Sequence, residues 1–154
     1  MAAAACNSVI MADDDLDDCR LAADAFREAK VHSPLYFVGD GEKLLDYLRC
    51  EGAYSDRIQH PVPSLILLDL NMPRMDGLEV LIEMKRDPQL KTIPVVVLTT
   101  SHAREVEQRV RAEGCDGLLT KPASFTELVE MARMISQRWL DPSLPPCCDE
   151  PEHG

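Results

Sequence analysis

No run in the 154-residue sequence approaches the roughly 18 apolar residues of a membrane span. The opening stretch MAAAACNSVIMADDD also lacks the basic start and apolar segment of a secretory signal. Both absences predict a chain that stays in the cytoplasm. Basic charge is in deficit as well: 16 Lys and Arg stand against 27 Asp and Glu, for a net −11. A surface of that sign repels a phosphate backbone and an anionic lipid face, so neither nucleic acid nor membrane is expected as a partner. There is no Gly/Ser-rich or repetitive tract, which argues against disorder across the body of the chain. The six cysteines (Cys6, Cys19, Cys50, Cys115, Cys147 and Cys148) contain no C-x-x-C pair and no histidine at zinc spacing. Reduced thiols are the expectation. Cys19 on a helix face and Cys115 near a turn read as small packing groups, whereas the adjacent Cys147 and Cys148 lie in a Pro-rich tail where they are oxidisable.

What is present is enough for one core. Apolar residues make up 45% of the chain and charged residues 28%, and this length removes most apolar surface from water in a single domain. Short apolar runs at 8–12 (SVIMA), 35–38 (LYFV), 65–69 (LILLD), 94–99 (PVVVLT) and 117–121 (GLLTK) read as strands. Amphipathic stretches separate them at 16–30, 42–50, 78–86, 103–113 and 125–140. On the first, Cys19, Ala22, Ala23 and Phe26 share a face; on the last, Leu128, Ala132, Ile135 and Trp139 do. Core packing is the ordinary use of such stripes. Strict alternation of strand and helix predicts a parallel sheet with helices on both faces, because parallel strands need crossovers. The segment 50–64 is long for a helix-to-strand connection, and its prolines predict either an ordered excursion or a mobile flap. Residues 1–7 read as an extension, 8–140 as the folded domain and 141–154, with four prolines in 142–154 before little to bury, as a loose tail.

Sheets of this kind gather ligands at the carboxyl ends of their strands. Here the first strand runs into Asp13, Asp14 and Asp15, the third into Asp69, the fourth into Thr99 and Thr100, and the fifth into Lys121 and Pro122. Each alone reads as a cap or a solvated turn residue. Together they place several carboxylates on one rim, where charges about 4 Å apart repel by about 4 kcal/mol at an effective dielectric of about 20. Such a cluster calls for a cation. Carboxylates with a loop carbonyl suit Mg²⁺, and the lack of His or Cys on this rim argues against zinc. With a divalent ion and Lys121 beside it, Asp69 has the surroundings of a nucleophile in phosphoryl transfer, Thr99 donating to a phosphoryl oxygen.

The set ADDD (12–15), DLNMPRMDG (69–77), LTT (98–100) and TKP (120–122) resembles the response-regulator receiver domain of two-component signalling, over roughly residues 8–140. The resemblance implies a flavodoxin-like (CheY-like) doubly wound α/β fold with five helices and five parallel strands in the order 2-1-3-4-5. It implies that Asp69 is the phosphoacceptor for a histidine kinase. It also implies that Asp14, Asp69 and the backbone carbonyl of Asn71 bind Mg²⁺, that Asp13 assists through water, and that Thr99 and Lys121 read the phosphoryl group. The Lys121–Pro122 bond is expected to be cis. Asn71 and Ser101 occupy positions that tune the lifetime of the acyl phosphate. Asp15 and Asp76 carry no such role and are expected to cap helices, with Asp17 and Asp18 adding charge at a helix N-terminus. Leu118 stands where many receivers carry a Tyr or Phe that reports phosphorylation, so an aromatic switch does not carry over.

Little chain follows the last helix, which is expected for a single-domain regulator. It would catalyse only its own phosphorylation and dephosphorylation and turn over no separate substrate. The long 50–64 segment and the ending RWLDPSLPP are similar to regulators that work with bacterial phytochrome kinases. Such proteins associate through a face made by the fourth and fifth helices, where Val106, Val110 and Trp139 are candidates for a homodimer contact if exposed. Two other classes compete. A haloacid-dehalogenase-type phosphatase needs D-x-D, but here the nucleophile is followed as Asp69-Leu70-Asn71. A receiver-like scaffold that takes no phosphate has no need of Asp13, Asp14, Asp69, Thr99 and Lys121 together.

Overall fold

The computed structural model describes residues 6–56, 61–70, 72, 75–100, 104–140 and 142–146. Five parallel strands, β1 (Val9–Ala12), β2 (Leu35–Val38), β3 (Leu65–Asp69), β4 (Val95–Thr99) and β5 (Gly117–Thr120), form one sheet in the order β2-β1-β3-β4-β5. Five helices connect or follow them: α1 (Leu16–Glu28), α2 (Gly41–Leu48), α3 (Gly77–Arg86), α4 (Arg104–Ala112) and α5 (Phe125–Trp139). The central strands β1, β3 and β4 are buried along their whole length, which is why they read as unbroken apolar runs rather than alternating ones.

Strand alternation divides the core in two. Ile10, Ala12, Ile66, Leu68, Val95 and Val97 face one side and pack with Leu44, Leu48, Leu81 and Met84 of α2 and α3 and with Val110 of α4. Val9, Met11, Leu65, Leu67, Val96 and Leu98 face the other and meet Ala22 and Phe26 of α1 and Ala132 and Ile135 of α5. On α1 the buried stripe is Cys19, Ala22, Ala25 and Phe26, so Ala25 takes the place expected of Ala23. Val110 is fully buried and Trp139 packs on the second core, over Gly117, where any side chain would meet its ring. Of the three residues considered for a homodimer contact, Val106 is the exposed one.

Local signals start the helices where the polar residues stand. Asp15 caps α1, accepting from the backbone N–H groups of Asp17 at 2.9 Å and Asp18 at 3.4 Å. Asp76 opens α3 in a reciprocal box with Glu79, and Ser124 caps α5. These two aspartates therefore have the capping roles expected of them.

The chain ends differ from expectation. The Asn7 backbone N–H donates to the Pro145 carbonyl at 2.7 Å, its side-chain amide donates to Leu144 O at 3.1 Å, and Asn7 pairs with Pro146 in a parallel bridge. The start of the C-terminal segment is thus tied to the N-terminal one rather than loose. Cys6 is disulfide-bonded, so the expectation of reduced thiols fails there, while Cys19, Cys50 and Cys115 are free. Cys147 and Cys148 lie outside the described residues. In the 50–64 excursion, Gly52–Tyr54 forms a 3₁₀ turn, and the buried Tyr47 donates its hydroxyl to Pro61 O at 2.9 Å while its ring lies 5.3 Å from that of Tyr54. The described part of this segment is anchored. No helix among the described residues is long and apolar enough to cross a membrane.

Candidate functional site

The register of the sheet aligns the carboxyl ends of four strands. Ala12 pairs with Leu68, Asp69 with Leu98 and Thr99 with Thr120, so Asp13, Asp69, Thr99 and Lys121 emerge on a common rim. Alternation then sorts them. Asp13, Asp69 and Lys121 continue the parity of Met11, Leu67 and Leu119, which face α1 and α5. Thr99 continues that of Val95 and Val97, on the opposite side. Backbone bonds fix the rim: Asp13 N–H donates to Val38 O at 3.0 Å, Leu70 N–H to Leu98 O at 3.3 Å and Lys121 N–H to Thr99 O at 2.9 Å. Past β3 the chain turns back so closely that a Cβ on Gly77 would strike the backbone of Asp69 and Leu70. A glycine there is a requirement of packing.

Asp13 and Asp69 are buried and Asp14 is exposed, and the three present carboxylate oxygens that lie within 4.8 Å of one another. The Lys121 ammonium sits against this group. It donates to Asp13 Oδ2 at 3.0 Å, to Asp69 Oδ2 at 3.2 Å and, unexpectedly, to Asp18 Oδ2 at 2.9 Å. Burial alone would push this lysine's pKa down. The hydrogen bonds to Asp18 and Asp13 and the charges of Asp69 and Asp13 reverse that and hold it above the ordinary lysine value. Burial pushes the Asp13 carboxyl above its usual range, against the Asp15 backbone N–H and Lys121, which favour its ionised form. Cys19, whose thiol lies 3.7 Å from Asp13 O, is pushed up to about 12, by burial first and by the carboxylates of Asp13, Asp18 and Asp15 after it.

The fold brings together Asp13, Asp14, Asp69 and Lys121, with the buried Thr99 one residue beyond the β4 position paired with Asp69. Asn71, Pro73 and Ser101 lie outside the described residues. Two points depart from the sequence reading. The Lys121–Pro122 bond is not cis: no cis peptide occurs among the described residues, in line with the intrinsic trans preference of about 0.5–1 kcal/mol for a bond to proline. Asp18, expected only to add charge at the start of α1, is a direct partner of Lys121. The sequence signal was its place three residues after the cap Asp15, on a helix whose opening turn borders the rim.

Comparison with known proteins decides the family. The model of the response regulator receiver domain matches residues 9–133. The chain belongs to the response regulator receiver family. Among relatives of this receiver, the response regulator Rcp1 of Synechocystis sp. is 36% identical over 133 residues, covering 86% of this chain and 88% of that protein. A crystal structure of the Mn²⁺-bound form of Rcp1 has a TM-score of 0.78 and 36% identity, over 90% of this chain and 99% of that one. The phosphorylated cyanobacterial phytochrome response regulator RcpA is 37% identical with a TM-score of 0.81, over 92% of this receiver and 99% of that chain. The flavodoxin-like fold and the strand order follow from these likenesses and from the sheet described above.

Proposed function

We propose that Asp69 accepts a phosphoryl group from the phosphohistidine of a histidine kinase in a Mg²⁺-dependent reaction, and that the acyl phosphate alters the surface the receiver offers to partners. The observation that carries this reading is the Lys121 ammonium 3.2 Å from Asp69 Oδ2 beside three carboxylates grouped within 4.8 Å. The donor set is all oxygen, which fits a hard divalent cation. Asp14, Asp69 and the Asn71 carbonyl would hold it directly and Asp13 through water. When bound, the ion supplies neutralisation of phosphoryl charge. An Asp69 carboxylate oxygen bonds to phosphorus as the P–N bond breaks, and the electron pair leaves with the histidine nitrogen, which takes up a proton. Lys121 donates to a phosphoryl oxygen, and so does the Thr99 hydroxyl.

The phytochrome proteins among the relatives support a bacteriophytochrome kinase as donor. A homodimer through the α4–α5 face belongs to the same reading, with Val106 exposed on α4. Beryllofluoride tests the acceptor assignment. With Mg²⁺ the wild-type protein is expected to give a bound fluorine NMR signal, and Asp69→Asn none. A bound signal that survives in Asp69→Asn overturns the assignment.

A further inference from the structure

We propose that Asp18 is a positioning residue for phosphoryl transfer to Asp69: it keeps the Lys121 ammonium at the rim while Asp13 and Asp69 are engaged with a divalent cation and a phosphoryl group. The proposal rests on the reading of Asp69 given above. An ammonium has three donors, and here three carboxylates take them at 2.9–3.2 Å. These three are not equivalent. Asp13 and Asp69 belong to the group whose oxygens converge within 4.8 Å, whereas Asp18 stands outside it, on α1. Positive charge brought to Asp13 and Asp69 repels the lysine and weakens the hold of both on it. Asp18 is the partner that such charge does not occupy.

On the α1 side of Lys121 the described residues offer no second acceptor. A cavity beneath its stem, between α1 and α5, is lined by apolar side chains such as Met11, Phe26, Leu67, Leu98 and Met131, and Asp18 supplies its one carboxylate. Lysine is a flexible four-carbon stem that needs a fixed acceptor to hold one position. Asp18 is such an acceptor, because Asp15 caps the turn that carries it and the helix is packed through Cys19 and Ala22 immediately beyond. With Asp18 removed, the hydrogen-bond partners left to the ammonium among the described residues are the two carboxylates that the cation also uses, and it loses its place beside Asp69 as they are taken.

Nitrogen-15 NMR of the lysine ammonium groups, together with labelling by acetyl phosphate, tests this. In the wild-type protein with Mg²⁺ the Lys121 ammonium signal stays protected from exchange. In Asp18→Ala with Mg²⁺ it is lost, and Asp18→Glu, which keeps charge and acceptor, restores it. At saturating Mg²⁺ the labelling rate of Asp18→Ala falls about fivefold, the scale of one partly exposed ion pair, whereas its Mg²⁺ Kd moves less than about twofold. A protected Lys121 signal in Asp18→Ala with Mg²⁺, or a wild-type labelling rate, overturns the proposal. The two readings fail separately. A wild-type protein that takes no label sinks the phosphoacceptor assignment, and a labelled wild type with an indifferent Asp18→Ala sinks only the role of Asp18.

Discussion

Replacing Asp13 by asparagine should stabilise the metal-free protein. At the 4.8 Å limit that separates oxygens of Asp13, Asp14 and Asp69, two carboxylates repel by about 3.5 kcal/mol at an effective dielectric of about 20. Asp13 feels two such repulsions. Against them stands the Lys121 ammonium at 3.0 Å, whose attraction on the same scale is about 5.5 kcal/mol. The balance is about 1.5 kcal/mol of net repulsion. Solvent around the exposed Asp14 reduces it, and the desolvation of Asp13 adds to it. The raised pKa of Asp13, caused first by burial, has the same sign. A carboxyl whose folded-state pKa is raised contributes stability that is fully present below its ordinary 3.8 and is lost as pH rises through the folded value. At neutral pH the ionised Asp13 therefore costs stability. Asp13→Asn is expected to gain about 1–2 kcal/mol and to raise Tm by about 2–8 °C in a chain of this size. Thermal unfolding followed by circular dichroism in EDTA reads this directly. The gain should shrink as pH falls through the raised folded-state pKa, where wild-type Asp13 takes up its proton. In Mg²⁺ it should shrink again, because a ligand that binds only the folded state stabilises the wild type more than a variant with weaker affinity. An asparagine variant that melts below wild type in EDTA at neutral pH would refute the reasoning.

Gly77→Ala forces a Cβ into the backbone of Asp69 and Leu70, so it should cost about 2–3 kcal/mol in denaturant unfolding and slow acetyl-phosphate labelling by displacing Asp69; a variant that unfolds and labels like wild type would show the close approach to be unimportant. Cys19, buried and pushed up to about 12, should stay unmodified when the native protein meets iodoacetamide at mildly alkaline pH, whereas the more accessible Cys50 reacts, as read by peptide mass spectrometry. Because that pKa is raised, the neutral thiol's contribution is intact below the ordinary value of 9.0 and is lost as pH climbs toward about 12, so Cys19→Ala should flatten the alkaline decline in stability.

Residues whose role depends on near neighbours were legible in the sequence. LYFV and LILLD are strands to the residue, since an apolar run of four or five bounded by polar turns has few alternatives. Asp15 and Asp76 cap helices because the acceptor and the amides it serves lie within three positions. The rim followed from strand ends alone, so Asp13, Asp14, Asp69 and Lys121 were found before any coordinate. Contacts made across the fold left no such trace. Asp18 meets Lys121 across 103 positions, and its place in the first turn of α1 was already explained by the helix dipole. The pairing of Asn7 with Pro146 depends on two distant segments meeting, and a Pro-rich composition carries no sign of a partner; the disulfide at Cys6 likewise left no spacing signal in the sequence. The cis bond expected before Pro122 came from family likeness rather than from any local feature of the sequence.

Intact-protein mass spectrometry after incubation with acetyl phosphate tests the central claim most directly, run on wild type with Mg²⁺, wild type with EDTA, and Asp69→Asn with Mg²⁺. The account predicts a single phosphoryl adduct in the first sample and none in the other two. An adduct of equal yield on Asp69→Asn, or one that forms as fast in EDTA, would contradict it.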